Sequence, residues 1–120
     1  MSKIKIESVT EKNCYYRNVI FTTKEMQVVL MSLPVNSDIP IEKHKKTTQY
    51  IKVEIGEITV QIYDKSKNPE KKIIVKEGES VIIPENTYHY VKNSSKTSTH
   101  LYSIYSPPEH PPNLIQKSQP

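Results

Sequence analysis

The chain has 120 residues, a length that suits one domain with one hydrophobic core. Its formal charge of +4 is carried by lysines interleaved with glutamates, with Arg17 as the one arginine, which indicates a solvated surface and no nucleic-acid partner. The single cysteine, Cys14, excludes an internal disulfide and a zinc site built from several thiolates.

The chain lacks the sequence features of exported and membrane proteins. No segment combines a charged start with the apolar run of a signal peptide, and no apolar run approaches the length of a membrane span. A lone cysteine also fits a reducing compartment. We therefore expect a cytoplasmic protein with no membrane partner.

Residues 1–17 are predicted to form an edge strand or an arm, and residues 18–106 an all-β barrel. Short runs of β-branched and aromatic residues, separated by turn residues, are typical of such a fold. The predicted strands are 18–22, 26–33, 49–55, 58–64, 72–75, 80–83, 88–92 and 100–106.

The third of these strands alternates in polarity from one residue to the next. Gln49, Ile51 and Val53 share one face, so a polar glutamine begins an inward row that is otherwise apolar. Gly56 and Glu57 follow this strand and predict a tight hairpin to the next one.

The composition changes at Pro107. Four prolines in residues 107–112 cannot take part regularly in the hydrogen bonds of a sheet. Residues 107–120 are therefore predicted to form an extended tail that lies over the barrel or over a partner.

Two histidines are candidates for metal ligation. Glu42 and His44 are two residues apart and point the same way in an extended chain, and His89 shares a strand face with Val91. A lone histidine on an apolar face is more often a core residue than a ligand. Two separate histidines, with Glu42 and the inward Gln49 nearby, suit a first-row divalent ion.

The spacing around His89 resembles a known sequence motif. Gly78, Pro84, Asn86, His89 and Asn93 stand at the positions of the second motif of the cupin superfamily, in which the histidine is a metal ligand. Asn86 stands where the family usually has glycine. Asparagine is among the residues that best tolerate left-handed backbone, so the departure is mild.

The segment before Gly56 resembles the first cupin motif. Counting back from Gly56 puts Gln49 at the position of the motif's glutamate, His44 at its second histidine, Glu42 at its first histidine and Asn36 at its opening glycine. Residues 18–33 and 102–110 are also similar to a bacterial cupin subfamily with a comparable ligand set. The resemblance covers about residues 18–110.

The resemblance implies a jelly-roll cupin β-barrel that binds one divalent ion through Glu42, His44, Gln49 and His89. Iron, manganese and zinc suit these donors equally well. With Glu42 as the one charged ligand, the ion stays electrophilic and attracts an anionic or oxygen-chelating small molecule. Tyr102 is expected to offer a hydroxyl to that ligand. His110 is expected either at the pocket or in a surface loop.

The expected function is a metal-dependent enzyme acting on a small oxygenated metabolite. Some similar proteins carry the label mannose-6-phosphate isomerase-like, so an isomerase or a dioxygenase is implied, with Glu42 as the base if it is not a ligand. The alternatives are a non-catalytic small-molecule-binding module and a structural dimer whose site has decayed. Cys14 has no histidine neighbour and is not a predicted nucleophile. An open sheet edge and the tail predict a homodimer.

Overall fold

A computed structural model describes residues 3–120 and thus leaves Met1 and Ser2 outside the description. This part of the chain forms one helix and ten strands. They are α1 (Ile6–Lys12), β1 (Arg17–Thr22), β2 (Gln27–Leu33), β3 (Asp38–Glu42), β4 (Thr48–Ile55), β5 (Glu57–Tyr63), β6 (Pro69–Lys76), β7 (Ser80–Ile83), β8 (His89–Asn93), β9 (Thr99–Ser106) and β10 (Ile115–Gln116). No helix in residues 3–120 is both long and apolar enough to cross a membrane.

The strands form two antiparallel sheets that enclose one core. The six-stranded sheet has the order β10-β1-β2-β9-β4-β7, and the four-stranded sheet has the order β3-β8-β5-β6. Alternate residues of the strands point between the sheets, as a period of two requires. The core includes Val29, Met31, Leu33, Ile51, Val53, Ile58, Val60 and Leu101. This architecture confirms the predicted all-β jelly roll.

The N-terminal segment differs from its prediction. Where an edge strand or an arm was expected, residues 6–12 form α1, which packs against β4 and β9. Thr10 is the one buried residue of α1 and is completely buried, while Ile6 is half-buried and Val9 is exposed. The contacts of the helix with β4 and β9 thus leave most of this segment accessible to solvent.

Two strands were not predicted, and a third is longer than predicted. β3 contains Pro40, which is tolerated because β3 lies at the edge of its sheet. β6 begins at Pro69 and extends beyond the predicted 72–75 at both ends. β10 is a two-residue strand within residues 107–120 and pairs with β1 at the edge of the six-stranded sheet.

Asparagines replace glycine at two turns that bracket the site. Asn36 and Asn86 have φ angles of 66° and 60°, in the left-handed region that the motif's glycines would favour. The backbone N–H of Asn86 donates to the His44 carbonyl at 2.7 Å. This turn therefore holds in place the loop that carries His44.

Candidate metal centre

Three predicted ligands converge at one end of the barrel. Glu42 is the last residue of β3 and pairs with His89, the first residue of β8, while His44 follows in the next loop. Glu42 Oε1 lies 3.2 Å from His44 Nε2 and 3.5 Å from His89 Nε2. The potential ligand atoms of Glu42, His44 and His89, one from each residue, all lie within 4.8 Å of one another.

Both imidazoles are oriented by acceptors on their other nitrogen. His44 Nδ1 lies 2.5 Å from Glu109 Oε1, and His89 Nδ1 lies 3.0 Å from the Thr87 carbonyl oxygen. Because both partners are acceptors, each Nδ1 carries the hydrogen of the neutral ring, and each Nε2 then has a free lone pair. Both Nε2 atoms are buried and have no hydrogen-bond partner among the described residues.

Gln49 adds a third unpartnered donor atom. It points inward from β4, and its Nε2 donates to Ser103 Oγ and Tyr105 Oη, both at 3.1 Å. Its Oε1 is left buried with no partner in residues 3–120. The hydrogen bonds of the amide nitrogen therefore leave the amide oxygen available to a ligand.

The donor set fits a divalent metal ion. Buried polar atoms normally find a hydrogen bond, and three of them clustered beside a carboxylate require an explanation. Two imidazole nitrogens, a carboxylate oxygen and an amide oxygen are donors that first-row divalent ions accept. Since Gln49 comes from the six-stranded sheet and Glu42 and His89 from the other, the site lies between the sheets.

The ionisable groups of the centre perturb one another. Burial raises the pKa of the Glu42 carboxyl, but the close imidazoles of His44 and His89 outweigh it and hold that pKa far below its usual range. Burial lowers the pKa of His44, but Glu42 and Glu109 outweigh it and raise that pKa above its usual value. Glu42 is therefore ionised, and a metal ion competes with the proton that Glu42 and Glu109 favour on His44.

Glu109 and Gln27 are functional candidates that the sequence interpretation missed. Glu109 belongs to the tail, and Gln27, which is completely buried, fixes the tail's backbone. Gln27 Oε1 accepts hydrogen bonds from the N–H groups of Glu109 and His110 at 3.2 and 3.0 Å, and its Nε2 donates to the His110 carbonyl at 2.7 Å. One available signal was the polar Gln27 at the start of an otherwise apolar strand, the pattern that identified Gln49.

The structure corrects the expectation for Tyr102. Its side chain lies on the outer face of β9, with its ring centroid 6.3 Å from that of Tyr50. The inward tyrosine is Tyr105, whose ring meets His44 and His110 edge-on at 5.5 and 5.2 Å. Leu101 and Ser103 are completely buried on the inward face of β9, which they share with Tyr105. Because successive side chains of a strand point to opposite faces, Tyr102 points away from the site.

His110 lies against Tyr105, which also contacts His44. Its Nε2 is buried and has no partner among residues 3–120. Burial and the charge of Arg17 lower its pKa to about 4, so its imidazole is neutral. Burial raises the pKa of Tyr105 far above its usual range, so its hydroxyl stays protonated.

Comparison with known proteins identifies the family. The family model described as the cupin domain matches residues 29–105. The chain belongs to the cupin family. The match includes Glu42, His44, Gln49 and His89, and it ends before Glu109.

Three cupin relatives are similar to almost the whole chain. An uncharacterized protein of Acanthamoeba polyphaga mimivirus is 41% identical over 98% of this chain and 72% of that protein. The uncharacterized protein YrkC of Bacillus subtilis is 31% identical over 97% of this chain, which spans 62% of the length of YrkC. A crystal structure of a Bacillus halodurans protein has 34% identity and a TM-score of 0.93 over 97% of this chain and 88% of that one.

Proposed function

We propose that the barrel binds one divalent metal ion through Glu42, His44, Gln49 and His89, and acts there on a small oxygenated metabolite. The observation that carries the proposal is the cluster of three buried, unpartnered donor atoms beside the Glu42 carboxylate. Iron, manganese and zinc are the candidate ions, because all three accept imidazole and oxygen donors.

His110 gives the site a polar group that is separate from the metal donors. A bound ion would supply a Lewis acid that polarises an oxygen of the ligand. The lowered pKa of His110 makes it a poor base, but as a neutral ring it can donate a hydrogen bond from the buried Nε2 to that oxygen and so stabilise the enolate formed when a proton leaves the neighbouring carbon. This favours proton-transfer chemistry, the isomerase type, over reaction with dioxygen.

Elemental analysis of untagged protein, reloaded separately with zinc, manganese and iron(II), tests the metal site. We expect about one ion per chain, with binding lost in His44→Ala and His89→Ala because each removes a ligand. His100→Ala is the matched control, since His100 Nδ1 bonds the Asn13 carbonyl away from the centre. Less than about a tenth of an equivalent of every metal contradicts the proposal.

Proton exchange tests the reaction class. Pyruvate is the probe, and the loss of its methyl proton signal is followed by NMR in heavy water with zinc-loaded protein. We expect exchange above the buffer rate, lowered at least about tenfold in His110→Gln and unchanged in His100→Gln. Exchange at the buffer rate favours a non-catalytic binding module, a function supported by the way Glu109 and His110 cover the centre.

We also propose that the chain forms a homodimer. β7 and β6 lie at sheet edges, where unpaired backbone groups can recruit another strand. Ile82 and Ile74 on these strands are 64% and 55% exposed. Sedimentation equilibrium at micromolar concentration tests this, with a dimer mass expected and a monomer mass contradicting it.

A further inference from the structure

A polar trough crosses the outer face of the four-stranded sheet, on the side away from the core. Its floor is β5, where Ile58 and Val60 are completely buried and point inward, so Thr59 and Gln61 point outward. The trough encloses about 580 Å³, which lies in the usual range of small-molecule sites.

Longer side chains on the two neighbouring strands form the walls of the trough. Gln61 is paired with Lys72 on β6 and with Tyr90 on β8. Thr59 is paired with Lys92 on β8. Side chains of paired residues point to the same face of a sheet. Lys72 therefore stands on one side of the floor, and Tyr90 and Lys92 stand on the other.

The two lysines of the trough have no ion-pair partner. Lys72 and Lys92 are exposed, and neither takes part in an ion pair within residues 3–120. Among these residues, no aspartate or glutamate lines the trough. Asp38 lies across from Lys92 on β3, but its two oxygens accept hydrogen bonds from Tyr90 Oη and Gln119 Nε2, both at 2.6 Å. A negatively charged ligand therefore complements the trough.

The uncharged groups of the trough suit a polyhydroxylated ring. Tyr63 continues the outward row of β5 two residues after Gln61, and it lines the trough together with Tyr90. A tyrosine ring offers a flat apolar surface against which the C–H face of a sugar packs. Gln61 Nε2 donates to the carbonyl oxygens of Ile62 and Lys71 at 3.0 and 2.9 Å, which leaves Oε1 as an acceptor for a sugar hydroxyl.

A single-stranded nucleic acid also combines rings with negative charge, but the trough fits it less well. Phosphates are recognised best by the planar fork of arginine, and the cations of the trough are lysines. The one arginine of the chain, Arg17, lies on β1 of the six-stranded sheet. The observations therefore favour carboxylates carried on sugar rings.

We propose that this trough binds an acidic oligosaccharide, whose rings pack on Tyr63 and Tyr90 and whose carboxylates lie beside Lys72 and Lys92. The floor from Thr59 to Tyr63 is about 14 Å long at about 3.4 Å per residue, which suits a short oligosaccharide. The trough is separate from the metal centre, because its side chains face outward while the metal donors lie between the sheets.

NMR titration of the full chain tests the location and the charge of the ligand. A trimer of β-1,4-linked glucuronate is the probe, and cellotriose is the neutral control with the same linkage and no carboxylate. We expect the glucuronate trimer to shift amide signals of β5, β6 and β8, and to bind more weakly as salt is added. Cellotriose should bind at least about fivefold more weakly, since it makes no ion pairs.

Calorimetry of four variants tests the individual side chains. Lys72→Gln and Lys92→Gln should each weaken binding of the glucuronate trimer about threefold, because one exposed ion pair contributes modestly. Tyr63→Leu should weaken it about fivefold, because the aromatic surface is lost. Lys24→Gln removes an exposed charge in the turn between β1 and β2 of the other sheet and should leave the affinity unchanged. Tm values equal to wild type show that the variants fold.

The outcomes separate this site from the alternatives. No binding of the glucuronate trimer, or equal binding of cellotriose, overturns the proposal. Tighter binding of a thymidine octanucleotide than of the trimer also overturns it, since that assigns the trough to single-stranded nucleic acid. Treatment with EDTA should leave binding of the trimer unchanged. Loss of binding with EDTA would mean that the trimer binds at a metal ion and not in the trough.

Discussion

At the residue scale, Glu109 is a positioning residue for His44. Its carboxylate accepts the Nδ1 hydrogen at 2.5 Å, and Nε2 faces Glu42 on the other side of the ring. A carboxylate behind a ligating histidine fixes its tautomer and strengthens it as a donor. We predict that Glu109→Gln lowers zinc affinity about 10- to 100-fold, measured by competition with a chelator.

The mechanism behind this loss has its own signature. Nitrogen chemical shifts of His44 should show that a smaller fraction of the ring is in the tautomer protonated at Nδ1 in Glu109→Gln. A purely structural defect would not change this fraction. Glu85→Gln, an exposed change in the loop before β8, is the matched control. Zinc affinity within about twofold of wild type in Glu109→Gln would contradict the proposal that Glu109 positions His44.

Gln49 sets the charge of the centre. In Gln49→Glu the carboxylate can accept hydrogen bonds from Ser103 and Tyr105, whose hydroxyls rotate to donate. We predict zinc binding at least about tenfold tighter, since a charged oxygen is the stronger donor. Gln61→Glu on the other sheet is the control. Unchanged or weaker zinc binding in Gln49→Glu would refute the argument.

Sequence spacing could predict the four donors but not the residues around them. Glu42, His44 and Gln49 lie within eight residues of one another, so a motif counts them directly. Glu109 meets His44 across 65 residues, and Gln27 meets His110 across 83. Contacts this remote depend on where the tail crosses the barrel, which no local pattern encodes.

At the element scale, Gln27 fastens the tail to β2. Its side chain makes three hydrogen bonds to the backbone of Glu109 and His110 while completely buried. We predict that Gln27→Met, similar in volume, lowers the free energy of unfolding by about 2 kcal/mol because buried tail groups lose their partners. It should also weaken zinc binding as Glu109→Gln does, because Glu109 is no longer held.

Urea unfolding and amide hydrogen exchange measure the two effects. Faster exchange is expected at Glu109 and His110, while the protection of the Leu101 amide in β9 falls only in proportion to the global stability. Thr59→Val on the four-stranded sheet provides a control distant from the tail. Protection of Glu109 and His110 that matches wild type would mean that Gln27 does not hold the tail.

Alternating strands were predictable, and elements with weak local signals were not. β4 and β5 alternate strictly, and Gly56 at φ 92° makes the hairpin between them. A Cβ at Gly56 would lie 2.4 Å from Thr99 Oγ1, so the turn also needs a glycine for space. β3 has five residues and contains Pro40, and α1 has seven residues with few apolar ones. Tertiary packing decides their structure more than local propensity does.

At the scale of the whole molecule, the residues of the proposed metal centre come from both sheets. Gln49 lies on β4 of the six-stranded sheet, while Glu42 and His89 lie on β3 and β8 of the other. An ion held by all of them binds only the folded chain and therefore stabilises it by mass action. Free zinc at about a hundred times its dissociation constant contributes about 2.7 kcal/mol, which raises Tm by about 10 °C in a domain of this size.

Calorimetric unfolding with EDTA and with zinc measures this increase. The His89→Ala barrel should unfold near the Tm of the EDTA-treated chain in both conditions, because it lacks the ligand on β8. His100→Ala should keep the full zinc-dependent rise, since that ring lies outside the centre. Equal Tm values with EDTA and zinc in the wild type would mean that no ion links the sheets. A rise that persists in His89→Ala would place the bound ion elsewhere on the chain.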